Sequence, residues 1–350
     1  MSHPTAITSN AFATSARERL EAYLQRQGLN TSTAQALTPD ASTREYFRIK
    51  WKRGTAIAAV YPEPFDAEVH PFLDVTRLML AAELPVPAIY DVDAAHGIIT
   101  QEDLGDRQLR RLFETADEDE RDELLDRAIS LIADVQLATA QAFALDSIAC
   151  RLAFDEAKLA WEMDFFLKHF FQSLRRETLT HGEEAQLRSE LNDLCVELAA
   201  RPRVLCHRDF HAANLIVDRK NRLRVIDHQD ARMGPASYDL VSLLLDRQTE
   251  MPSLAEVRAR RLYFLEERRQ RGLEALDPDD FAREFRLMTV QRCLKAVGTF
   301  SYQSGVCGRV AVYGQFIRPM LLIVAQSLDW LERFPTLRAA LHARSAEPYS

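Results

Sequence analysis

The residues best suited to chemistry lie close together in the chain: His207-Arg208-Asp209-Phe210-His211-Ala212-Ala213-Asn214, and then Asp227 after the apolar stretch Leu223-Arg224-Val225-Ile226. Two carboxylates and an amide in this order suit transfer of a γ-phosphoryl group. That reaction needs an acceptor oxygen held in line with phosphorus, a carboxylate to receive the acceptor's proton, and Mg²⁺ to spread the developing charge. Asp209 can be the carboxylate. A loop returning through His211 can present the Asn214 amide oxygen to Mg²⁺, and Asp227, at the end of a strand, supplies a charged oxygen. Both are hard ligands of the kind Mg²⁺ takes.

These groups need a frame to position them. Ser15 can cap a helix that runs through Gln27 and stops at Gly28, with Leu20, Tyr23 and Leu24 as its apolar stripe. Alternation predicts strands over Tyr46–Trp51 and Thr55–Tyr61, ended by Pro62-Glu63-Pro64. A helix over Ala67–Glu83 and short strands near 88–92 and 97–102 complete a small antiparallel sheet carrying one main helix. After Asp103-Leu104-Gly105 the apolar spacing becomes helical, near 118–142, 151–172, 181–200, 237–247, 253–271, 279–302 and 309–332, with short strands at 204–206, 215–217 and 223–226. The expected fold is α+β and two-lobed, like a protein kinase: a flexible segment 1–14, an N-lobe over 15–104 and a mostly helical C-lobe over 105–345, with ligands in the cleft between the lobes.

Composition narrows the partners. Of 350 residues, 47% are hydrophobic and 27% charged, which excludes disorder over most of the length. A net charge of −8 argues against a nucleic-acid surface, since phosphate-backbone binding rests on clustered Lys and Arg. The five cysteines are scattered and never spaced C-x-x-C, so neither a disulfide framework nor a zinc cage is expected. The polar segment Met1–Thr14 lacks an apolar core, and the apolar run near Met320–Ala325 is too short to span a bilayer. A cytoplasmic monomer acting on a small molecule, away from membrane and nucleic acid, is the expectation.

H-R-D, four residues, then Asn is the form of the protein-kinase catalytic loop. Together with I-D-H-Q-D and the two-lobed order it resembles the aminoglycoside phosphotransferase and choline kinase group, over about residues 30–335. More narrowly, Asp40 to Arg48, Gln101 to Asp106, and Asp227-His228-Gln229-Asp230-Ala231 through Leu244 are similar to the anomeric N-acetylmuramate/N-acetylglucosamine kinases of bacterial cell-wall recycling. The resemblance implies ATP and Mg²⁺ as cofactors, an N-acetylated amino sugar as substrate, and phosphorylation of its anomeric hydroxyl. It implies Asp209 as base and Asn214 and Asp227 as Mg²⁺ ligands. Residues 40–47, with Ser42, Thr43, Arg44, Tyr46 and Phe47, would cover the phosphates, and the backbone of Glu102, Asp103 and Leu104 would meet adenine. Gln229 and Asp230 would face metal or sugar.

Two departures from the kinase pattern stand out. Pro39–Arg48 contains no glycine, so backbone amides with Ser42, Thr43 and Arg44 must serve the phosphates. The strand Thr55–Tyr61 has no lysine; Arg44, Arg48 or Lys50 is the expected substitute, the last two projecting from one face. For the sugar, charges inside otherwise apolar helices are the candidates: Glu162 and Asp164, Arg292 and Lys295. A lactyl carboxylate on muramate calls for Arg or Lys.

Plainer readings compete. Asp209, Asn214 and Asp227 are also ordinary loop residues. His207 reads as structural, Arg208 as an ion-pair residue, His228 as a packed ring, Asp239 as a brace for the catalytic loop that also caps its own helix, and Asp117–Glu120 as a solvated helix start. His207, Asp209 and His211 alternate and could instead ligate a hydrolase's metal; the missing lysine would suit an inactive nucleotide-binding module. Choline, ethanolamine, homoserine and aminoglycosides are alternative acceptors, a cationic one calling for a cage such as Trp161, Glu162 and Asp164.

Overall fold

The computed structural model describes residues 14–37, 44–52, 54–247 and 251–344. The fold is α+β. An antiparallel sheet has the order β1-β2-β3-β5-β4, formed by β1 (Gln35–Leu37), β2 (Glu45–Trp51), β3 (Gly54–Val60), β4 (Ile89–Asp93) and β5 (Ile98–Glu102). The remaining strands are short: β6 (Arg203–Cys206), β7 (Leu215–Val217), β8 (Leu223–Val225) and β9 (Arg232–Pro235), paired as β6 with β9 and β7 with β8.

The chain divides into two compact units, one running up to Arg107 together with Ile216–Gln229, the other Gln108–Leu215 with Asp230 onward. Reading along the chain groups 216–229 with the helical part, whereas here these residues cluster with the sheet. The cause is direct hydrogen bonding: the Val225 N–H donates to the Pro85 carbonyl, and buried Arg224 donates to the Pro85 and Val86 carbonyls and pairs with Glu102 at 2.6 Å.

In the first unit Ser15 caps the helix Ala16–Arg26 in a capping box with Glu18. Its Leu20, Tyr23 and Leu24 pack onto one face of the sheet, against Phe47, Ile49, Ala56, Ala58 and Val60. In β2 the alternate residues Tyr46, Arg48 and Lys50 belong to the other face. The next helix is shorter than periodicity suggests, Pro71–Ala81, because Pro71 occupies its first turn.

The second unit is mostly helical. Its helix Glu156–Phe166, continued by a π-helical stretch through Leu174, packs against the long helix Pro278–Gly305. Gly298 permits the close approach, since a Cβ there would lie 2.8 Å from the Phe166 Cα. The run near Met320–Ala325 is part of a longer helix, Val310–Leu331, which by length and composition alone could cross a membrane. Half of that stretch is buried within the protein, with Tyr313 and Phe316 against Phe300. Sequence periodicity missed β1, β9 and the helices Leu109–Phe113 and Pro335–Arg344, which are short and carry little repeat.

Candidate active site

In the second unit β6 delivers the loop that carries Asp209. The buried Asp239 carboxylate accepts the His207 N–H at 2.6 Å and the Arg208 N–H at 3.0 Å, pinning the loop immediately before Asp209. Arg208 is held with φ at +84°, a left-handed conformation that costs a side-chain-bearing residue about 1–2 kcal/mol. Asp239 braces the loop as expected, but the N-cap of its helix, Tyr238–Leu245, is Ser237, with no side-chain cap bond. On the far side, the Asn214 side-chain N–H donates to the Asp209 carbonyl at 2.9 Å, which sets the direction of the amide oxygen.

Three cations surround the Asp209 carboxylate: Arg208 at 3.4 Å, Lys295 at 3.5 Å and Arg292 at 3.6 Å. Burial pushes its pKa up, but Lys295, then Arg208 and Arg292, outweigh this and hold it well below the usual carboxylate range. The cations are themselves anchored. Arg208 pairs with Asp230 at 2.7 Å, and fully buried Arg292 with Asp246 at 2.8 Å and the Ser242 hydroxyl at 3.1 Å. Burial lowers His211 to about 4, so its ring is neutral at pH 7. Glu162 is buried and takes the Gln291 amide at 2.8 Å and Lys158 at 3.4 Å. Thus Glu162 joins Arg292 and Lys295 through the packed helix pair, while Asp164 does not. It is exposed, pairs with Arg188, and lines a separate cavity of about 730 Å³ with Lys168 and Gln172.

The first unit supplies a second cluster. Asp227, also left-handed with φ +64°, accepts the Gln229 side-chain N–H at 2.9 Å and lies 3.5 Å from the Arg44 guanidinium. His228 is buried, hydrogen-bonded to Thr76 at 2.6 Å and stacked on Phe72, a packed ring as expected. Several expected nucleotide contacts have other partners. Ser42 and Thr43 lie outside the described residues. Phe47 belongs to β2 and its ring is in the core, because strand alternation turns it away from the Tyr46 face; its side chain therefore does not cover phosphates. The Glu102 side chain pairs with Arg224 and that of Asp103 with Arg48, and Leu104 is buried. Sequence reasoning missed Arg224, Gln291, Ser242 and Asp246. An arginine amid the apolar residues of β8 is the signal that could have exposed the first.

Asn214 and Asp227 offer hard oxygen donors, and Mg²⁺ typically uses one or two protein carboxylates together with waters and substrate phosphates. A nearly complete protein cage is therefore unnecessary, and among the described residues no three His, Cys, Asp or Glu side chains converge on one point. The alternation of His207, Asp209 and His211 accordingly makes no metal cage; His207 is packed edge-on against Phe210.

The profile of the phosphotransferase enzyme family matches residues 33–285. An N-acetylmuramate/N-acetylglucosamine kinase of Neisseria meningitidis is 32% identical over 265 residues, 75% of this chain and 76% of that protein. The like-named protein of Pseudomonas aeruginosa is 31% identical over 271 residues, covering 75% and 74%. Among solved structures, a choline kinase from Cryptosporidium parvum has a TM-score of 0.59 at 12% identity, covering 93% of this chain and 99% of that one. An ADP-bound aminoglycoside phosphotransferase has 0.55 at 17%, covering 87% and 96%. At such identities the structural likeness shows the fold.

Proposed function

Because the chain belongs to the phosphotransferase enzyme family, we propose that it transfers the γ-phosphate of ATP to the anomeric hydroxyl of an N-acetylated amino sugar, N-acetylmuramate or N-acetylglucosamine. The observation that carries this reading is the Asp209 carboxylate, kept ionised within a cation-rich setting on a pinned loop. A carboxylate so well stabilised is a weak base, so its main contribution is to orient the acceptor hydroxyl. An anomeric hydroxyl is more acidic than an ordinary alcohol, and the loose transition state of phosphoryl transfer needs little prior deprotonation. Asp209 receives the proton as the oxygen–phosphorus bond forms and the bond from the γ-phosphorus to ADP breaks. Asn214 and Asp227 are the residues that would hold Mg²⁺, which when bound would supply charge neutralisation on the phosphates. The backbone of Glu102 to Leu104 remains the proposed adenine contact.

The paired state of the possible cage disfavours a cationic acceptor. Lys158 covers the Trp161 ring at 4.2 Å and reaches Glu162, and Arg188 holds Asp164, so the groups that would receive a quaternary ammonium already have cations. Lys295, Arg208 and Arg292 near Asp209 suit a neutral sugar or one bearing a carboxylate. Two bacterial relatives named N-acetylmuramate/N-acetylglucosamine kinase support the amino-sugar acceptor, and the enzyme is proposed to act as a cytoplasmic monomer.

The test is Mg²⁺-ATP turnover across N-acetylmuramate, N-acetylglucosamine, choline, homoserine and kanamycin, with the product located by ³¹P NMR. A sugar 1-phosphate supports the reading, and turnover only of a cationic acceptor refutes it. Asp209→Asn is expected to lower kcat by about 10²–10⁴-fold with little change in KM for ATP. Near wild-type kcat would remove Asp209 from its role.

A further inference from the structure

β3 carries no lysine to meet the nucleotide phosphates, and the sequence leaves three cations as substitutes, Arg44, Arg48 and Lys50. Their settings differ sharply. Arg48 is gripped by two carboxylates, its Nε and Nη2 reaching Asp103 at 2.8 and 3.0 Å and its Nη1 and Nη2 reaching Asp106 at 3.0 and 2.8 Å. That four-contact arrangement leaves no fork for a phosphate. Lys50 is exposed, toward the end of β2 and paired in register with Thr55.

Arg44 stands just before β2, its side chain 15% exposed, with its guanidinium 3.5 Å from the candidate metal ligand Asp227. The rings of Tyr46 and Tyr61 lie 5.7 and 5.6 Å from its guanidinium carbon, close enough for cation–π attraction, and the Tyr61 hydroxyl is 3.5 Å away. The 3.5 Å separation of Arg44 from Asp227 is longer than the 2.8–3.0 Å contacts of Arg48 with Asp103 and Asp106. A guanidinium already oriented by two rings also loses little rotamer freedom on gaining a phosphate.

We propose that Arg44 replaces the missing β3 lysine as the cation that binds the nucleotide's polyphosphate, and that it rests against Asp227 until metal and nucleotide arrive. This rests on the phosphotransferase reading but not on the identity of the acceptor. In the exchange, Asp227 passes from guanidinium to metal, and the guanidinium passes from carboxylate to phosphate oxygen, so each charge keeps a partner.

Isothermal titration of wild type, Arg44→Gln, Arg44→Lys and Lys50→Gln with Mg²⁺-ATP and with adenosine tests the assignment. Loss of a charge-assisted phosphate contact should weaken Mg²⁺-ATP binding about 10- to 100-fold in Arg44→Gln, with adenosine affinity unchanged, partial recovery in Arg44→Lys and no effect in Lys50→Gln. Because the resting guanidinium competes for Asp227, Arg44→Gln should also bind Mn²⁺ alone about two- to fivefold more tightly, a gain that local damage would not produce. Wild-type affinity for Mg²⁺-ATP in Arg44→Gln, or equal weakening of ATP and adenosine, overturns the role of Arg44 and leaves the phosphotransferase reading intact. A wild-type protein that binds no nucleotide overturns both.

Discussion

Asp239 offers the sharpest test of how the loop bearing Asp209 is held. Its buried carboxylate takes two backbone N–H groups, those of His207 and Arg208, and Asp239→Ala removes both acceptors at once. A hydrogen bond to a charged group contributes about 1.5–3 kcal/mol, and a buried donor left without a partner costs about 1–3 kcal/mol. His207 is fully buried, so its N–H bears the larger penalty, whereas Arg208 is partly exposed and water can reach it. Burial also pushes the Asp239 pKa up against the His207 and Arg208 N–H groups, so removing the carboxylate recovers part of a desolvation cost. The balance is a destabilisation of about 3 kcal/mol, read as a lowered midpoint in urea unfolding followed by far-UV circular dichroism. Because the same bonds hold Arg208 at φ +84°, glycine at 208, which adopts that conformation without strain, should reduce the effect by about 1 kcal/mol in a double-mutant cycle. An Asp239→Ala midpoint within about 0.5 kcal/mol of wild type, or no coupling to Arg208→Gly, would refute the brace.

Other outcomes follow from the same cluster. His211 has its folded pKa lowered to about 4 by burial, so the folded state favours the neutral ring. That contribution is complete above the unfolded value near pH 6.5 and is lost as pH falls from there towards 4, up to about 3 kcal/mol. Stability of wild type minus that of His211→Asn, measured from pH 7 to 4.5, should fall over this window; a flat difference would show the ring protonates without penalty. Arg292→Met should cost about 3–5 kcal/mol because it strands the buried Asp246 carboxylate, and adding Asp246→Asn should recover much of it. Thermal melts of the single and double variants check this, and equal stability of the two would show that Arg292 acts through packing alone.

Much of this protein was legible in the chain itself. Alternation and helical spacing marked the sheet and the long helices because burial imposes periods that a sequence must carry. Ser15 with Glu18 signalled a helix start for an equally local reason. The order H-R-D to Asn, then Asp227, marked the chemistry because those groups sit on short segments whose spacing is nearly their geometry. Partners distant in sequence were decided only by tertiary structure. Nothing near 224 shows that its guanidinium ties β8 to Pro85, Val86 and Glu102, and although a bracing role for Asp239 was expected, its two partners, the His207 and Arg208 N–H groups, are fixed only by the fold. Glu162 and Asp164 are alike in the sequence, two acids two positions apart in the same helix. Only the packing of Glu156–Phe166 against Pro278–Gly305 buries the first beside Gln291 and leaves the second exposed to Arg188. The same holds for Arg44 and Arg48: both are cations on alternate positions, and the carboxylates that meet them, Asp227 for one and Asp103 with Asp106 for the other, are brought there by folding, since an ion pair depends on distance in space and leaves no period in the chain.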